Sequence, residues 1–116
     1  MDREQILTFN EKNIAEFRSN GGRIAAFGDA PVLLLTTTGA KSGQPRTSPM
    51  MYLADDYESN RVYVFASAAG ADRNPAWFHN IGAHPKNLGV EIGREKMTAD
   101  AEVLADPQRA GVRRTS

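Results

Sequence analysis

Two cations lie in a glycine-containing turn between two strand-like segments. Lys41 and Arg46 belong to residues 39–46 (GAKSGQPR), which directly follow an apolar run that ends in three threonines. No Asp or Glu occurs between Asp29 and Asp55, so no neighbour in the sequence neutralises the two charges. Glycine lets backbone N–H groups approach an anion, and Lys and Arg donate charge-assisted hydrogen bonds to it. The segment predicts an anion-binding turn, with an ordinary hairpin carrying two solvated cations as the alternative.

A second small-residue loop precedes a helix start. Residues 67–73 (SAAGADR) lead to Asn74 and Pro75, which fit the N-cap and the first helical position. Backbone N–H groups at a helix N-terminus attract anions. Trp77 is either a core residue or the wall of a ring-binding pocket, and Ser67 is either a turn residue or a ligand contact. Together the two loops indicate a site for a phosphorylated organic cofactor, without naming one.

The remaining pattern describes the elements that must position these loops. A helix is predicted over residues 10–20, with Asn10 as N-cap and Gly21 as its left-handed C-terminal residue. Its apolar face is expected to dock on the core, with contact to a membrane surface as the alternative. Pro49 cannot donate to a ladder, so its strand is expected at a sheet edge or a bulge. Five strands with short connections predict an antiparallel barrel or sandwich: residues 32–38, 46–53, 61–67, 88–92 and 97–103.

Composition narrows the functional classes. A length of 116 residues predicts one domain over 1–116, and 14 basic residues balance 14 acidic ones. That balance argues against nucleic acid as a partner, because phosphate-backbone binders need surplus Lys and Arg. The sequence contains no Cys, so disulfides, thiolate zinc sites and Cys nucleophiles are excluded in it. The charged first residues and the lack of a long apolar run predict a cytoplasmic protein.

Signals for other chemistry are weak or missing. His79 and His84 stand five apart without clustered carboxylates, so no metal site is predicted and His79 is expected to pack or hydrogen-bond locally. The sequence has no Gly-x-Ser-x-Gly elbow, and its Gly-x-Lys-Ser lacks the upstream glycine of a phosphate-binding P-loop. Asp106 and Pro107 read as the N-cap and first residue of another helix. Because the sequence stops at Ser116, we expect it to lack its last elements.

Both loop blocks together closely resemble the deazaflavin-dependent nitroreductase family of actinobacteria. The order and spacing of the blocks match, and the first helix and its following glycine pair fit as well. The resemblance covers residues 9–105. It is carried by residues 33–46 (LLLTTTGAKSGQPR), Pro49, Tyr52, Ser67, Gly70 and residues 74–80 (NPAWFHN).

The resemblance implies a mostly β fold with flanking helices, a split antiparallel β-barrel of the flavin-mononucleotide-binding type, spanning residues 31–105. It implies reduced coenzyme F420, an 8-hydroxy-5-deazaflavin with an anionic phospholactyl polyglutamate tail, as cofactor. Lys41 and Arg46 would bind the phosphate or the tail carboxylates, helped by backbone donors around residues 40–44. The implied cofactor-binding residues are Thr36, Ala40, Lys41, Ser42, Gly43, Gln44, Arg46, Pro49, Met50, Met51, Ser67, Ala68, Ala69, Gly70, Ala76, Trp77 and Asn80.

The implied reaction is hydride transfer from the deazaflavin C5 to an electron-poor small molecule, such as a quinone, a nitroaromatic or an unsaturated lactone. The cofactor supplies the hard chemistry, so no protein nucleophile is required. Ser67 is the candidate for a hydrogen bond to the acceptor, although water could equally deliver the proton. A monomer or a weak homodimer is expected, in the cytoplasm or associated with a membrane.

Departures from the family pattern are also visible. Ala68 and Ala69 replace more polar residues, and Phe78 stands where Tyr is frequent. The C-terminal helix, tyrosines and final strand of the family have no recognised counterpart here, although they normally help to form the acceptor pocket. Two other functions remain open: a flavin-mononucleotide oxidoreductase on the same barrel, and a non-catalytic carrier of the deazaflavin.

Overall fold

A computed structural model describes residues 3–55, 60–65, 75–104 and 109–115, with side chains from Phe9 onward. These residues form two α-helices, a short 3₁₀ turn at Ala25–Phe27 and seven strands. The helices are α1 (Arg3–Ser19) and α2 (Ala76–Ala83). The strands are β1 (Val32–Thr38), β2 (Pro45–Met51), β3 (Leu53–Ala54), β4 (Arg61–Phe65), β5 (Leu88–Ile92), β6 (Glu95–Leu104) and β7 (Arg109–Arg114).

All seven strands belong to one curled antiparallel sheet, in the order β2-β1-β5-β6-β7-β4-β3. The two edge strands are consecutive in the chain, because β2 and β3 are separated only by Tyr52. One bent segment therefore pairs with β1 through its first part and with β4 through its last part. The sheet curls back on itself as a half-barrel, which confirms the expected mostly β fold of the split-barrel type.

The alternation along β1 separates two cores. Leu33 and Leu35 point into the concave side, where they pack with Trp77 and Ile81 of α2 and with the inner residues of β4, β5, β6 and β7. Leu34, the residue between them, faces the opposite, convex side of the sheet. A continuous apolar run on a strand is typical of burial on both faces, and all four residues of 32–35 are buried.

Helix α1 covers the convex side of β1. Phe17 is fully buried and packs with Ile24, Val32 and Leu34. The Arg18 guanidinium donates two hydrogen bonds to the Glu91 carboxylate of β5, at 3.1 and 2.9 Å, and this raises the pKa of Arg18. Docking on the core, the expected role of this helix, is therefore what the structure shows. Neither described helix is both long and apolar enough to span a membrane.

Some predicted element boundaries are wrong. Helix α1 begins at Arg3, so Asn10 lies in mid-helix and is not its N-cap. Residues 3–9 (REQILTF) contain neither Gly nor Pro, so the helix continues upstream of the local N-cap signal at Asn10. Gly21 does adopt a left-handed φ of 68°, as expected. Pro49 lies on edge strand β2, opposite Leu34, which agrees with the edge position predicted for it.

The helix predicted to start at Asp106 and Pro107 is also wrong. Those two residues lie outside the described part of the chain, but the residues that follow them form strand β7. Ala110 and Val112 lie on one face of this strand in the concave core, and Arg109 and Arg113 lie on the other face. β7 pairs with β6 on one side and β4 on the other, and this pairing overrides the local helix-start signal.

Candidate functional site

A groove of about 760 Å³ opens where the β1–β2 turn meets helix α2. Its size lies in the range of small-molecule and cofactor sites, roughly 300–1,000 Å³. The β1–β2 turn and the first part of helix α2, both singled out in the sequence, therefore share one groove at the end of the sheet. The lining residues come from α1, β1, the turn, β2 and α2: Asn10, Thr37, Gly39, Ala40, Lys41, Ser42, Arg46, Thr47, Ser48, Ala76, Trp77, His79 and Asn80.

The β1–β2 turn is built around Gly39. The Gly39 N–H donates to the Gln44 carbonyl at 2.8 Å, and the Gly43 N–H donates to the Gly39 carbonyl at 2.9 Å. A Cβ at Gly39 would lie only 2.5 Å from the Ser42 hydroxyl, so a side chain there would displace Ser42. Gly43 has a φ of +71°, which favours glycine. The two glycines thus allow a tight turn for different reasons.

The turn uses most of its own backbone donors. Besides the Gly39 and Gly43 N–H groups, the Gln44 N–H donates to the Ser42 hydroxyl at 3.2 Å. The Ala40 N–H donates to the Asn80 side chain. Among the described residues, this leaves the Lys41 and Ser42 N–H groups without an acceptor. The cradle expected over residues 40–44 therefore narrows to two backbone donors at the tip of the turn.

Asn80 connects the turn to the sheet. Its Oδ1 accepts the Ala40 N–H at 3.0 Å, and its Nδ2 donates to the Thr37 hydroxyl at 3.0 Å. Both side chains are buried, Asn80 with 7% and Thr37 with 2% of its surface exposed. Helix α2 is thereby joined to β1 and to the turn by one amide.

The groove is cationic. Lys41 and Arg46 are exposed, and none of the described residues that line the groove is acidic. Within the described residues, the Arg46 guanidinium donates one hydrogen bond, to the neighbouring Pro45 carbonyl at 3.3 Å, and Lys41 makes no hydrogen bond or ion pair. An anion with several oxygens can be held here by two cationic side chains and two N–H groups.

Trp77 forms the apolar wall. Its ring packs against the concave core with 9% of its surface exposed, and it meets Phe78 edge to face at 5.9 Å between ring centres. It also lines the groove, so the two readings of Trp77 as core residue and as pocket wall both apply. The groove thus combines a cationic end with an aromatic wall, which suits a planar ligand with an anionic tail.

Comparison with known proteins agrees with this geometry. Residues 10–116 match the model of the F420H(2)-dependent quinone reductase family. The chain belongs to this family. It is 37% identical over 110 residues to an F420H(2)-dependent quinone reductase of Mycobacterium tuberculosis H37Rv, covering 93% of this chain. The same match covers 60% of that relative, so the chain spans about three fifths of the length of that protein.

Two solved structures share the fold of this family member. One is an F420-H2 dependent reductase, with a TM-score of 0.60 and 24% identity, covering 71% of this chain and 93% of that chain. The other is a domain-swapped dimer, with a TM-score of 0.56 and 28% identity, covering 89% of this chain and 73% of that chain.

The structure brings together seven of the residues that the resemblance implied for this reductase family member. These residues line the groove: Ala40, Lys41, Ser42, Arg46, Ala76, Trp77 and Asn80. Their roles toward a cofactor stay predictions. Ser67, Ala68, Ala69 and Gly70 lie outside the described part of the chain, as does Asn74; within it, Pro75 is the N-cap of α2, not its first residue.

Other implied residues lie elsewhere. Thr36 faces the convex side, where its hydroxyl is 2.8 Å from that of Thr47, because successive strand residues alternate faces. Met50 packs against the concave core, and Met51 is 56% exposed. Thr36, Met50 and Met51 do not line the groove. The same holds for three further implied residues: Gly43, Gln44 and Pro49.

Five groove residues had no predicted site role: Asn10, Thr37, Thr47, Ser48 and His79. The alternation that buries Leu33 and Leu35 predicts Thr37 on the same face, so its position was accessible from the sequence. His79 is exposed on α2 and lines the groove, and the local packing or hydrogen bonding expected for it stays a prediction. The described residues contain no group of three or more side chains that could hold a metal ion.

Proposed function

We propose that this protein is a reductase that uses reduced coenzyme F420 and transfers a hydride to a quinone-type small molecule. Family membership supports the cofactor, and the groove supports its placement. The main structural support is the meeting of Lys41, Arg46 and Trp77 on one groove whose described lining contains no carboxylate.

The residues present fit an anionic cofactor tail. Lys41 and Arg46 would contact phosphate or carboxylate oxygens, and the Lys41 and Ser42 N–H groups would donate to the same oxygens. Each charge-assisted hydrogen bond contributes about 1.5–3 kcal/mol when it is shielded, and less when exposed. Because both cations are exposed, their attraction is screened by salt, and affinity should fall as ionic strength rises.

The ring end of the cofactor would lie toward α2. Trp77 and Ala76 form the wall on that side, and Ser67 with the following small residues is proposed to approach the ring edge. Pro49, Met50 and Met51 of the adjoining strand β2 are proposed to contact the ring from the other side. The protein's task is to orient the cofactor and to exclude water.

When bound, the reduced deazaflavin supplies a hydride equivalent. This chain then needs to hold an electron-poor acceptor against it, and no nucleophile is required. The exposed His79 imidazole on the groove rim and the Ser67 hydroxyl are the proposed hydrogen-bond donors toward the acceptor. Quinones, nitroaromatics and unsaturated lactones are the acceptor classes proposed, with the quinone favoured by the family name.

The test is a fluorescence titration with coenzyme F420, followed by anaerobic mixing of the reduced cofactor with a panel of quinones and nitroaromatics. We expect saturable binding and reoxidation of the cofactor that depends on both protein and acceptor. Binding without reoxidation across the panel would instead indicate a carrier. Tight binding of flavin mononucleotide, with no change in F420 fluorescence, would contradict the proposal.

A further inference from the structure

The Asn80 amide lies between a strand and the turn that carries the cations. Its Oδ1 accepts the Ala40 N–H and its Nδ2 donates to the Thr37 hydroxyl, both at 3.0 Å. Asn80 was implied as a direct cofactor contact, yet these two bonds commit one donor and one acceptor of its amide to the protein itself.

The anchoring side of this arrangement is rigid. Thr37 lies at the end of β1, with 2% of its surface exposed, and it is paired directly with Arg46 of β2. Asn80 is held by α2, where the neighbouring Ile81 is fully buried in the concave core. The turn is the less constrained side of this contact, because its residues Ala40 and Lys41 are exposed. The two hydrogen bonds therefore fix the turn relative to the sheet and helix, not the reverse.

The bond to Ala40 also decides which donors remain for a ligand. It directs the Ala40 N–H toward the protein, while the Gly39 and Gly43 N–H groups are used inside the turn. The next two N–H groups, those of Lys41 and Ser42, are left over. An Ala40 peptide released from Asn80 could rotate and so change the positions of the two following donors.

We infer that Asn80 is a positioning residue, which holds the residue 39–44 turn against β1 so that the Lys41 and Ser42 N–H groups face the groove. Asn80 acts through Ala40, and Thr37 fixes the orientation of the amide. The expected effect on ligand affinity rests on the proposed F420 function. The positioning of the turn by Asn80 does not depend on that function.

The first experiment measures amide hydrogen exchange by NMR on the protein without ligand. In Asn80→Ala, the Ala40 amide should exchange roughly 10–100-fold faster, equivalent to about 1.4–2.8 kcal/mol, because the partly buried bond loses its acceptor. The Gly43 amide, bonded inside the turn, should change little. Asn10→Ala, which removes another groove asparagine without touching the turn, should leave Ala40 exchange unchanged.

Thr37→Val provides a second route that keeps the shape of the buried side chain. It removes the hydroxyl that accepts from Nδ2, so Ala40 exchange should accelerate, by less than in Asn80→Ala. The double variant should be no faster than Asn80→Ala alone, since both substitutions act through one amide. Circular dichroism of each variant confirms that the fold is retained.

The second experiment measures the Kd for coenzyme F420 in the same variants. Asn80→Ala should weaken binding about tenfold, Thr37→Val should weaken it by a smaller factor, and the two losses should not add. Unchanged Ala40 exchange in Asn80→Ala would overturn the inference. So would weakened F420 binding in Asn80→Ala with wild-type binding in Thr37→Val, because that pattern indicates direct contact between Asn80 and the ligand. If the wild type does not bind F420, the proposed function fails, and the exchange measurement alone still decides the role of Asn80.

Discussion

Arg46 stands directly opposite Thr37 in the β1–β2 ladder, so both residues lie on the same face of the sheet. Thr37 is buried beneath Asn80, and Arg46 is exposed at the groove. Strand register therefore places a cation beside the hydrogen-bonded anchor of the turn. Lys41, at the tip of the turn, supplies the second cation.

The two groove cations should each contribute to cofactor affinity. We expect Lys41→Ala and Arg46→Ala to weaken F420 binding about tenfold each, equivalent to ~1.4 kcal/mol, because each removes a charge-assisted contact with the tail. A fluorescence titration at two salt concentrations measures this, and each variant should show a shallower salt dependence than the wild type. Lys86→Ala removes an exposed lysine outside the groove and is the matched control. Equal losses in all three variants would point to a general effect of net charge.

Packing, not the ion pair, should hold α1 on the sheet. Phe17 is fully buried, whereas half of the Arg18 side chain is exposed in its 2.9 Å contact with Glu91. Phe17→Ala should lower the free energy of unfolding by about 3–5 kcal/mol. Arg18→Ala should lower it by only about 1–2 kcal/mol, because Arg18 is half-exposed even though Glu91, 12% exposed, loses its partner. Urea denaturation followed by circular dichroism gives both values. A larger loss for Arg18 than for Phe17 would reverse this ranking.

Tyr63 should lose its hydroxyl proton at a higher pH than an ordinary tyrosine does. Its hydroxyl donates to the Asp55 carboxylate at 2.6 Å, and this hydrogen bond, followed by partial desolvation, raises the pKa of Tyr63 above its ordinary value of about 10. The raised pKa favours the protonated form in the folded state. Its stabilising effect is thus fully present below the unfolded pKa and is lost as the pH rises through the folded one.

An ultraviolet titration of tyrosinate absorbance measures this shift. Asp55→Asn should move the late transition to lower pH, and Tyr63→Phe should remove it and so assign it. A late transition that survives Tyr63→Phe belongs to another tyrosine, and the assignment would then be wrong.

Two left-handed glycines allow a test of close packing. Gly22 has a φ of +101°, and a Cβ there would lie 2.5 Å from the Gly93 Cα in the β5–β6 turn. Gly28 has a φ of +61° and open space around it. Gly28→Ala should therefore cost only the backbone strain, about 1–3 kcal/mol at a φ of 61° and a ψ of −131°, whereas Gly22→Ala should cost about 1–3 kcal/mol more because of the close contact. Thermal and urea denaturation compare the pair. Equal costs would show that the Gly22 contact relaxes freely.

Much of the fold followed from patterns with a local cause. The apolar run at residues 32–35, the alternating segments and the glycine after α1 indicated the sheet and its first helix. The extent of α1 and the strand β7 did not follow, because both depend on partners distant in sequence. Ala110 and Val112 become strand residues only between β6 and β4. A local N-cap and proline signal cannot report that pairing.

The sequence predicted which segments form the site, but not which face of strand β1 lines the groove. Glycine, Lys41 and Arg46 marked the turn, and Pro75 marked the start of α2. The family resemblance implied Thr36 as a cofactor-binding residue, but its neighbour Thr37 lines the groove. Counting alternate residues from Leu33 gives Thr37 as the residue on the correct face. The hydrogen bond between Asn80 and Ala40 links residues 40 positions apart. No local pattern contains such a bond, because it exists only after the helix has docked on the sheet.

The position of β7 has a consequence for synthesis on the ribosome. Among the described strands, β7 comes last in the chain, yet it lies between β6 and β4 in the sheet. Until residues 109–114 leave the ribosome, strands β6 and β4 each keep one unpaired edge, and such edges recruit other strands. A nascent chain of this protein should therefore be prone to aggregation until β7 has inserted between β6 and β4, and slow translation over β7 should increase aggregation.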